Sequence, residues 1–141
     1  MKKILIDSGP LIALFDSYDK YHSVAVNFIK TNNHPLITTI ASVTETLHLL
    51  DFNRNAQIDF IEWVQRGAVE LQNIENCDFE RLRELTEKYR NLPMDFADCC
   101  LVYLAQKLNI NVVATIDRDF SIYRIKGRRR FKIVPSMIAP A

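Results

Sequence analysis

The sequence KKILIDSGP, at residues 2–10, predicts a buried strand that runs directly into a helix. Residues 2–7 are dense in isoleucine and leucine, which is typical of a strand covered on both faces. The Asp7-Ser8-Gly9-Pro10 turn ends that strand and opens the helix, with Pro10 in the first turn, where a missing N–H costs little. A strand of this kind is expected in a parallel sheet that is covered on both faces.

Strand-like and helix-like segments alternate along the rest of the chain. Apolar residues at helical spacing predict helices over residues 21–29, 41–50, 59–65, 78–89 and 93–108. Asp78 is the expected N-cap of the fourth of these. Strands are expected at 36–39, 68–74, 109–116 and 131–135. The alternation predicts an α/β fold, in which right-handed crossovers bring the C-terminal ends of the strands to one edge.

The composition is that of an ordinary globular protein. With 141 residues, 48% of them hydrophobic and 25% charged, the chain is expected to form a single domain over residues 1–141. We find no apolar run near the roughly 20 residues that span a bilayer and no signal-peptide pattern. We therefore expect a cytoplasmic protein without a membrane partner. Its cysteines have neither disulfide nor zinc spacing: Cys77, Cys99 and Cys100.

The net charge of +1 conceals a strong asymmetry. Residues 121–133 contain six basic side chains and no acidic one: Arg124, Lys126, Arg128, Arg129, Arg130 and Lys132. Without these six, 12 of the 18 basic residues remain against 17 acidic ones. A basic strip on an acidic body predicts a docking surface for a polyanion. The alternative is a solvated loop with no partner.

Four carboxylates border the apolar segments, at Asp7, Glu45, Asp98 and Asp117. Carboxylates gathered in one crevice repel one another unless a cation neutralises them. Oxygen ligands suit Mg²⁺ or Mn²⁺, and these ions most often serve chemistry on phosphate esters. The alternative to metal binding is that Asp7 only caps the helix that follows it and that Glu45 is an ordinary surface residue.

Two of these acids have an acidic neighbour that could replace them. Asp95 and Asp98 both fall near the start of one predicted helix, so one is expected to cap the helix while the other faces the crevice. Asp98 is followed by apolar residues and therefore lies on a buried side. Asp117 and Asp119 form a similar pair after a strand. We favour Asp117 for the crevice and expect the other acid to cap a short helix near position 120.

Two hydroxyl side chains are expected to support the carboxylates. Ser8 and Thr115 each adjoin one of the strand ends, where they can donate hydrogen bonds to a carboxylate or bind water. Other site types find no support, because the three histidines lack zinc spacing and no Gly-rich phosphate loop or GxSxG elbow is present. The histidines are His22, His34 and His48.

Four segments together resemble the PIN domain of metal-dependent ribonucleases, and their order is similar to that of VapC-type toxins of prokaryotic toxin–antitoxin pairs. They are ILIDSGPLIALFD (4–16), ITTIASVTETLHLL (37–50), MDFADCCLVYLAQKL (94–108) and VVATIDRDFSIYR (112–124). The resemblance implies a parallel sheet of order 3-2-1-4-5 with helices on both faces. It also implies cleavage of single-stranded or structured RNA, a cognate antitoxin that covers the cleft, and a homodimer.

The resemblance, matched position by position, implies that Asp7 and Asp98 are the principal metal ligands. It implies that Asp117 and Glu45 complete the coordination shell of the metal or orient a water molecule. Mg²⁺ or Mn²⁺ is the implied cofactor. Five basic side chains are then expected to bind the phosphates of the RNA backbone: Arg124, Lys126, Arg128, Arg129 and Arg130. The alternatives are a catalytically silent PIN-like module that binds RNA or protein, and a receiver-like phosphoacceptor domain. A haloacid-dehalogenase phosphatase would need an acid at position 9, which is glycine.

Overall fold

The computed structural model describes residues 2–135 and contains one five-stranded, all-parallel sheet. Its strands are β1 (Ile4–Ile6), β2 (Leu36–Thr39), β3 (Glu70–Gln72), β4 (Val112–Ala114) and β5 (Lys132–Val134). They lie in the order β3-β2-β1-β4-β5, which confirms the predicted 3-2-1-4-5 topology. This order differs from the 2-1-3-4-5 order of receiver-type proteins, so the receiver-like alternative is wrong.

Six α-helices connect the strands: α1 (Ser8–Phe15), α2 (His22–Thr31), α3 (Ile40–Leu49), α4 (Arg54–Gln65), α5 (Phe79–Lys88) and α6 (Phe96–Leu108). Short 3₁₀ helices at Asn76–Asp78 and Arg118–Ser121 follow β3 and β4. No helix within residues 2–135 combines the length and apolar character needed to cross a membrane.

Each face of the sheet carries its own hydrophobic core. Leu5 and Val113 pack with α5 and α6 on one face, while Ile6 and Val112 pack with α1 and α4 on the other. Side chains alternate between the two faces along a strand, so a central strand covered on both sides has to be apolar throughout. This is why β1 is a continuous run of buried aliphatic residues.

Several predicted boundaries differ from the structure. Helix α4 begins five residues earlier than expected because the side chain of Asn53 caps it by accepting from the backbone N–H of Ala56. Asp78 occupies the N-cap position of α5, as predicted, but its side chain makes no capping hydrogen bond to that helix. Its carboxylate instead accepts from the backbone N–H of Glu75, 2.8 Å away, and closes a capping box around the preceding 3₁₀ turn.

The core beneath α1 and α4 depends on one aromatic side chain. Phe60 is fully buried, with its ring edge-on to Phe15 at 5.5 Å and stacked on Trp63 at 6.3 Å between centroids. We expect Phe60→Ala to lower the free energy of unfolding by about 3–5 kcal/mol, because it leaves a cavity. In urea denaturation, the exposed control Tyr18→Ala should cost less than about 0.5 kcal/mol. Equal losses from both variants would contradict this packing.

Candidate active site

The candidate site lies at the C-terminal edge of the sheet, where β1 and β4 end side by side. Ile6 pairs with Ala114, so the residues that follow each strand emerge together. The backbone N–H of Asp7 continues the pairing by donating to the carbonyl of Ala114 at 2.9 Å. Asp7 and Thr115 are therefore neighbours because of strand register, although 108 positions separate them in the chain.

Three carboxylates converge at this edge. One oxygen from each of Asp7, Asp98 and Asp117 lies within 4.8 Å of the others. Asp98 arrives from the first turn of α6, which crosses the sheet next to β1 and β4. Asp7 and Asp98 are each only 4% exposed, and Asp117 is half-buried. We call these three side chains the acidic cluster.

Hydroxyl and backbone donors orient the acidic cluster. Thr115 donates its hydroxyl proton to Asp7 Oδ2 at 2.9 Å and accepts from the backbone N–H of Asp117 at 2.9 Å. The backbone N–H of Ser8 donates to Asp7 Oδ1 at 2.8 Å. The predicted supporting role of Thr115 therefore has a geometric basis, because this one side chain links two members of the cluster.

Glu45 lies beside the acidic cluster rather than within its three-carboxylate group. It comes from α3, is half-buried, and accepts a hydrogen bond from the hydroxyl of Ser8. Ser8 thus joins the start of α1 to α3. The four acids singled out in the sequence occupy one edge of the sheet. Ser8 links Glu45 to Asp7, because its hydroxyl donates to Glu45 and its backbone N–H donates to Asp7.

The structure distinguishes the members of both acidic pairs. Asp95 is exposed and caps α6 by accepting from the backbone N–H of Asp98, whereas Asp98 enters the cluster. Asp117 enters the cluster and also caps the 3₁₀ helix, by accepting from the backbone N–H of Asp119 at 2.8 Å. The prediction that Asp119 would cap the 3₁₀ helix is therefore wrong. The Asp117 carboxylate both caps this helix and belongs to the acidic cluster.

Burial and like charge disfavour ionisation of the cluster. Burial raises the pKa of Asp7 to about 7. Burial, followed by the charges of Asp7, Asp95 and Asp117, raises the pKa of Asp98 to about 8. Burial also raises the pKa of Asp117 and that of Glu45. A metal-free cluster therefore binds protons near neutral pH, and an added positive charge would favour its full ionisation at that pH.

The donor set fits a hard divalent cation. Every ligand atom offered by the acidic cluster is a carboxylate oxygen, which suits a hard ion better than zinc or copper. Among residues 2–135, none of the Lys or Arg ion pairs involves Asp7, Asp98 or Asp117. No protein cation therefore neutralises the cluster within the described part of the chain, and the three aspartates could hold a metal ion.

The basic side chains predicted to bind RNA do not line the acidic cluster. Arg124 is half-buried, and its guanidinium donates to the carbonyls of Ser121, Ile122 and Tyr123, which closes the end of the 3₁₀ helix. Arg129 donates to Asn109, which precedes β4. The exposed residues Lys126, Arg128, Arg129 and Arg130 lie before β5, toward the opposite edge of the sheet.

A groove beside the cluster was not anticipated from the sequence. It has a volume of about 820 Å³ and runs between α3 and the start of α6, with Glu45 and Asp95 at its acidic end. Two half-exposed aromatic rings, Phe79 and Phe96, stack at 5.8 Å on its wall. Each ring stands at the first residue of a helix. An aromatic residue directly after a capping acid is the one sequence signal that could have indicated this surface.

Comparison with known proteins identifies the family. The PIN domain family profile matches residues 4–126. The chain belongs to the PIN domain family. Ribonuclease VapC26 of Mycobacterium tuberculosis (strain ATCC 25618 / H37Rv) is 27% identical to this PIN protein over 135 residues, which span 94% of this chain and 100% of the relative.

Solved structures show the same fold at low sequence identity. VapC20 of Mycobacterium tuberculosis, described as a Sarcin-Ricin loop cleaving toxin, superposes with a TM-score of 0.78 at 19% identity, over 84% of this PIN chain and 93% of that one. VapBC2 from Rickettsia felis, bound to a DNA fragment from its promoter, superposes with a TM-score of 0.65 at 9% identity, over 93% and 98%.

The raised pKa values predict how stability responds to pH and metal in this PIN protein. Asp7 and Asp98 have pKa values of about 7 and 8 when folded, against an ordinary value of 3.8. The native state then binds more protons than the unfolded state above pH 4, so stability falls as pH rises toward 8. In EDTA, we expect a lower Tm at pH 8 than at pH 5.5, and Mn²⁺ should restore it.

The variant Asp98→Asn tests whether the buried carboxylates cause the pH dependence of the wild-type Tm. The amide removes one buried titrating group, so the metal-free variant should show a smaller fall in Tm between pH 5.5 and pH 8. It should also lose most of the Mn²⁺-dependent rise. A wild-type Tm in EDTA that increases from pH 5.5 to pH 8 would contradict the assigned protonation states.

Proposed function

We propose that this PIN protein is a metal-dependent endoribonuclease and the toxin of a type II toxin–antitoxin system. The observation that carries the proposal is the acidic cluster, in which carboxylates from three separate parts of the chain, two of them buried, lie within 4.8 Å of one another. Membership in the PIN family supports nuclease chemistry. The names of two similar proteins, a ribonuclease and a Sarcin-Ricin loop cleaving toxin, support RNA as the substrate.

Asp7, Asp98 and Asp117 would hold the ion, with Mg²⁺ or Mn²⁺ as the best match to an all-oxygen set. The chemistry that such an ion supplies is polarisation of the scissile phosphate and activation of the attacking water. The protein restrains one of the ligands in advance. Thr115 fixes the Asp7 carboxylate from one side, and the Ser8 backbone N–H fixes it from the other.

Glu45 is the residue best placed to handle a proton in this reaction. One of its oxygens accepts from the hydroxyl of Ser8, and the side chain also lines the groove beside the cluster. Burial raises the pKa of Glu45 toward the range in which a carboxylate is an effective general base. With an ion bound, Glu45 would orient the attacking water and take up its proton, while the three aspartates would hold the ion.

The groove suits an inhibitory partner. Its walls are largely apolar, and it opens at Glu45 and Asp95 onto the acidic edge, so a peptide bound there would block access to the cluster. An apolar segment with a basic side chain complements both the walls and the charged end. We propose that the cognate antitoxin occupies this groove. The solved VapBC complexes are examples of similar proteins bound to their antitoxins.

A homodimer is the second proposed assembly. Exposed apolar side chains continue from the end of α3 along α4, at Leu49, Phe52, Ile58 and Ile61. These residues lie outside the groove and remain accessible when a partner fills it. Their clustering on consecutive helices favours contact with a second copy of the chain.

A catalytically silent RNA- or protein-binding module is the alternative. A silent module would not need a buried cluster of like charges, because uncompensated buried carboxylates destabilise the fold. The presence of Asp7, Asp98, Asp117 and Glu45 at one edge therefore favours the enzyme.

Asp7→Asn tests the catalytic proposal. The amide keeps the shape and most hydrogen bonds of the side chain but removes the charge that binds the ion, so metal-dependent cleavage of RNA should fall to background. Asp59→Asn on the exposed face of α4 makes the same chemical change away from the site and should retain wild-type activity. The measurement is a fluorogenic RNA cleavage assay with Mg²⁺ or Mn²⁺ and with EDTA. Full activity of Asp7→Asn would refute the assignment.

Ile40→Lys tests the inhibitory groove. Ile40 lines the groove and is 57% exposed, so a lysine there is tolerated by the fold but adds a charge to the surface that the antitoxin covers. We expect the purified variant to cleave RNA while antitoxin no longer inhibits it. Tyr18→Lys is the matched control, since Tyr18 is 96% exposed and lies outside the groove. Normal inhibition of Ile40→Lys would place the antitoxin elsewhere.

A further inference from the structure

The edge of the sheet opposite the acidic cluster is basic. The segments that lead into the five strands are residues 2–3, 32–35, 66–69, 107–111 and 126–131, and they contain no Asp or Glu. They carry the basic residues Lys2, Lys3, Arg66, Lys107, Lys126, Arg128, Arg129 and Arg130. Because the strands are all parallel, these segments share one edge. The molecule is thus anionic where its strands end and cationic where they begin.

The most basic part of this edge is a continuous surface. Strands β1, β4 and β5 are neighbours, so the residues that precede them lie in a row. The backbone N–H of Lys132 donates to the carbonyl of Asn111 at 2.7 Å, and Arg129 donates to Asn109 at 2.6 Å. A pocket of about 320 Å³ lies beside them, lined in part by Lys2, Lys3 and the same two asparagines.

We name this surface the basic edge and define it by six exposed side chains: Lys2, Lys3, Arg128, Arg129, Arg130 and Lys132. None of the six takes part in an ion pair with any residue between 2 and 135. By contrast, Arg66 and Lys107 at the same edge are paired with Glu62 and Asp78. The charge of the basic edge is therefore available to an external polyanion.

RNA is the polyanion that the proposed function supplies. The acidic cluster repels phosphates on its own, so attraction for an RNA chain has to come from another part of the surface. Arginine guanidinium groups and asparagine amides are the donors that contact phosphate oxygens. The two edges are close, because the path along β4 from Asn111 to Thr115 covers four residues, or about 13 Å at ~3.3 Å per residue.

We propose that the basic edge is an RNA-docking exosite, which binds backbone phosphates of the substrate at a distance from the bond that is cleaved. The inference rests on the proposed ribonuclease function and specifies its substrate class. The RNA passes around β5, which is the outermost strand on that side of the sheet. The substrate is therefore an RNA long enough to contact both edges, such as a structured stem-loop, and a short oligonucleotide contacts the acidic edge alone.

The test compares two substrates that share one cleavage sequence, a short oligonucleotide and a longer stem-loop RNA. The triple variant Lys3→Gln, Arg128→Gln, Arg130→Gln changes side chains that make no hydrogen bond with the rest of residues 2–135, so the fold is preserved. Its control is Lys20→Gln, Arg54→Gln, Arg83→Gln, which removes the same charge elsewhere. Cleavage is measured as kcat/KM, and metal-free RNA binding is followed by fluorescence anisotropy.

We expect the triple variant to lose about tenfold or more in kcat/KM and in affinity on the long RNA, with the loss confined to that substrate. Three lost phosphate contacts should also reduce the slope of log affinity against log salt by roughly 2. The control variant should match the wild type in both assays.

Two results would overturn the exosite. One is a triple variant that binds and cleaves the long RNA as well as the control does. The other is unchanged RNA binding together with lost binding of antitoxin, which would assign the basic edge to an acidic protein segment. If the wild type cleaves no RNA at all, the nuclease proposal fails, while the anisotropy measurement still decides whether this edge binds RNA.

Discussion

The carboxylates of Asp7, Asp98 and Asp117 lie within 4.8 Å of one another, and like charges this close in a buried site repel strongly. The fold creates this arrangement and does not relieve it with a basic side chain from the described residues. Burial raises the pKa of both Asp7 and Asp98 into the neutral range. A bound cation would turn this unfavourable arrangement into a coordination site, which links stability, metal binding and catalysis.

The parallel sheet brings the residues of the acidic cluster together, although they are far apart in the sequence. Strand register places Asp7 beside Thr115, and the first turn of α6 places Asp98 next to them. The same topology gives the opposite edge its character, because the segments before the strands contain basic residues and no acidic ones. The parallel direction of the strands therefore places the acidic cluster at the C-terminal edge of the sheet and the basic, RNA-attracting residues at the N-terminal edge. A nuclease whose catalytic edge is anionic benefits from this separation.

Strand ends and apolar flanks are local features of the chain, so the sequence predicted the α/β class and singled out the four acids of the candidate site. The sheet order was predicted only by the resemblance to PIN domains. The sequence could not show that Asp117 serves both as a cap and as a cluster member, since that depends on how two oxygens of one carboxylate are oriented. Nor could it show that Arg124 closes a 3₁₀ helix with its own guanidinium. The groove beside Glu45 was not predicted either, because its walls come from helices that are distant in sequence.

The most direct test of the central claim is a crystal soaked in Mn²⁺ and measured at a wavelength where manganese scatters anomalously. We expect one dominant anomalous peak between the carboxylates of Asp7, Asp98 and Asp117, which disappears in a crystal of Asp98→Asn soaked in the same way. A map with no peak at the C-terminal edge of the sheet, or with the three carboxylates turned toward Lys or Arg side chains, would contradict it.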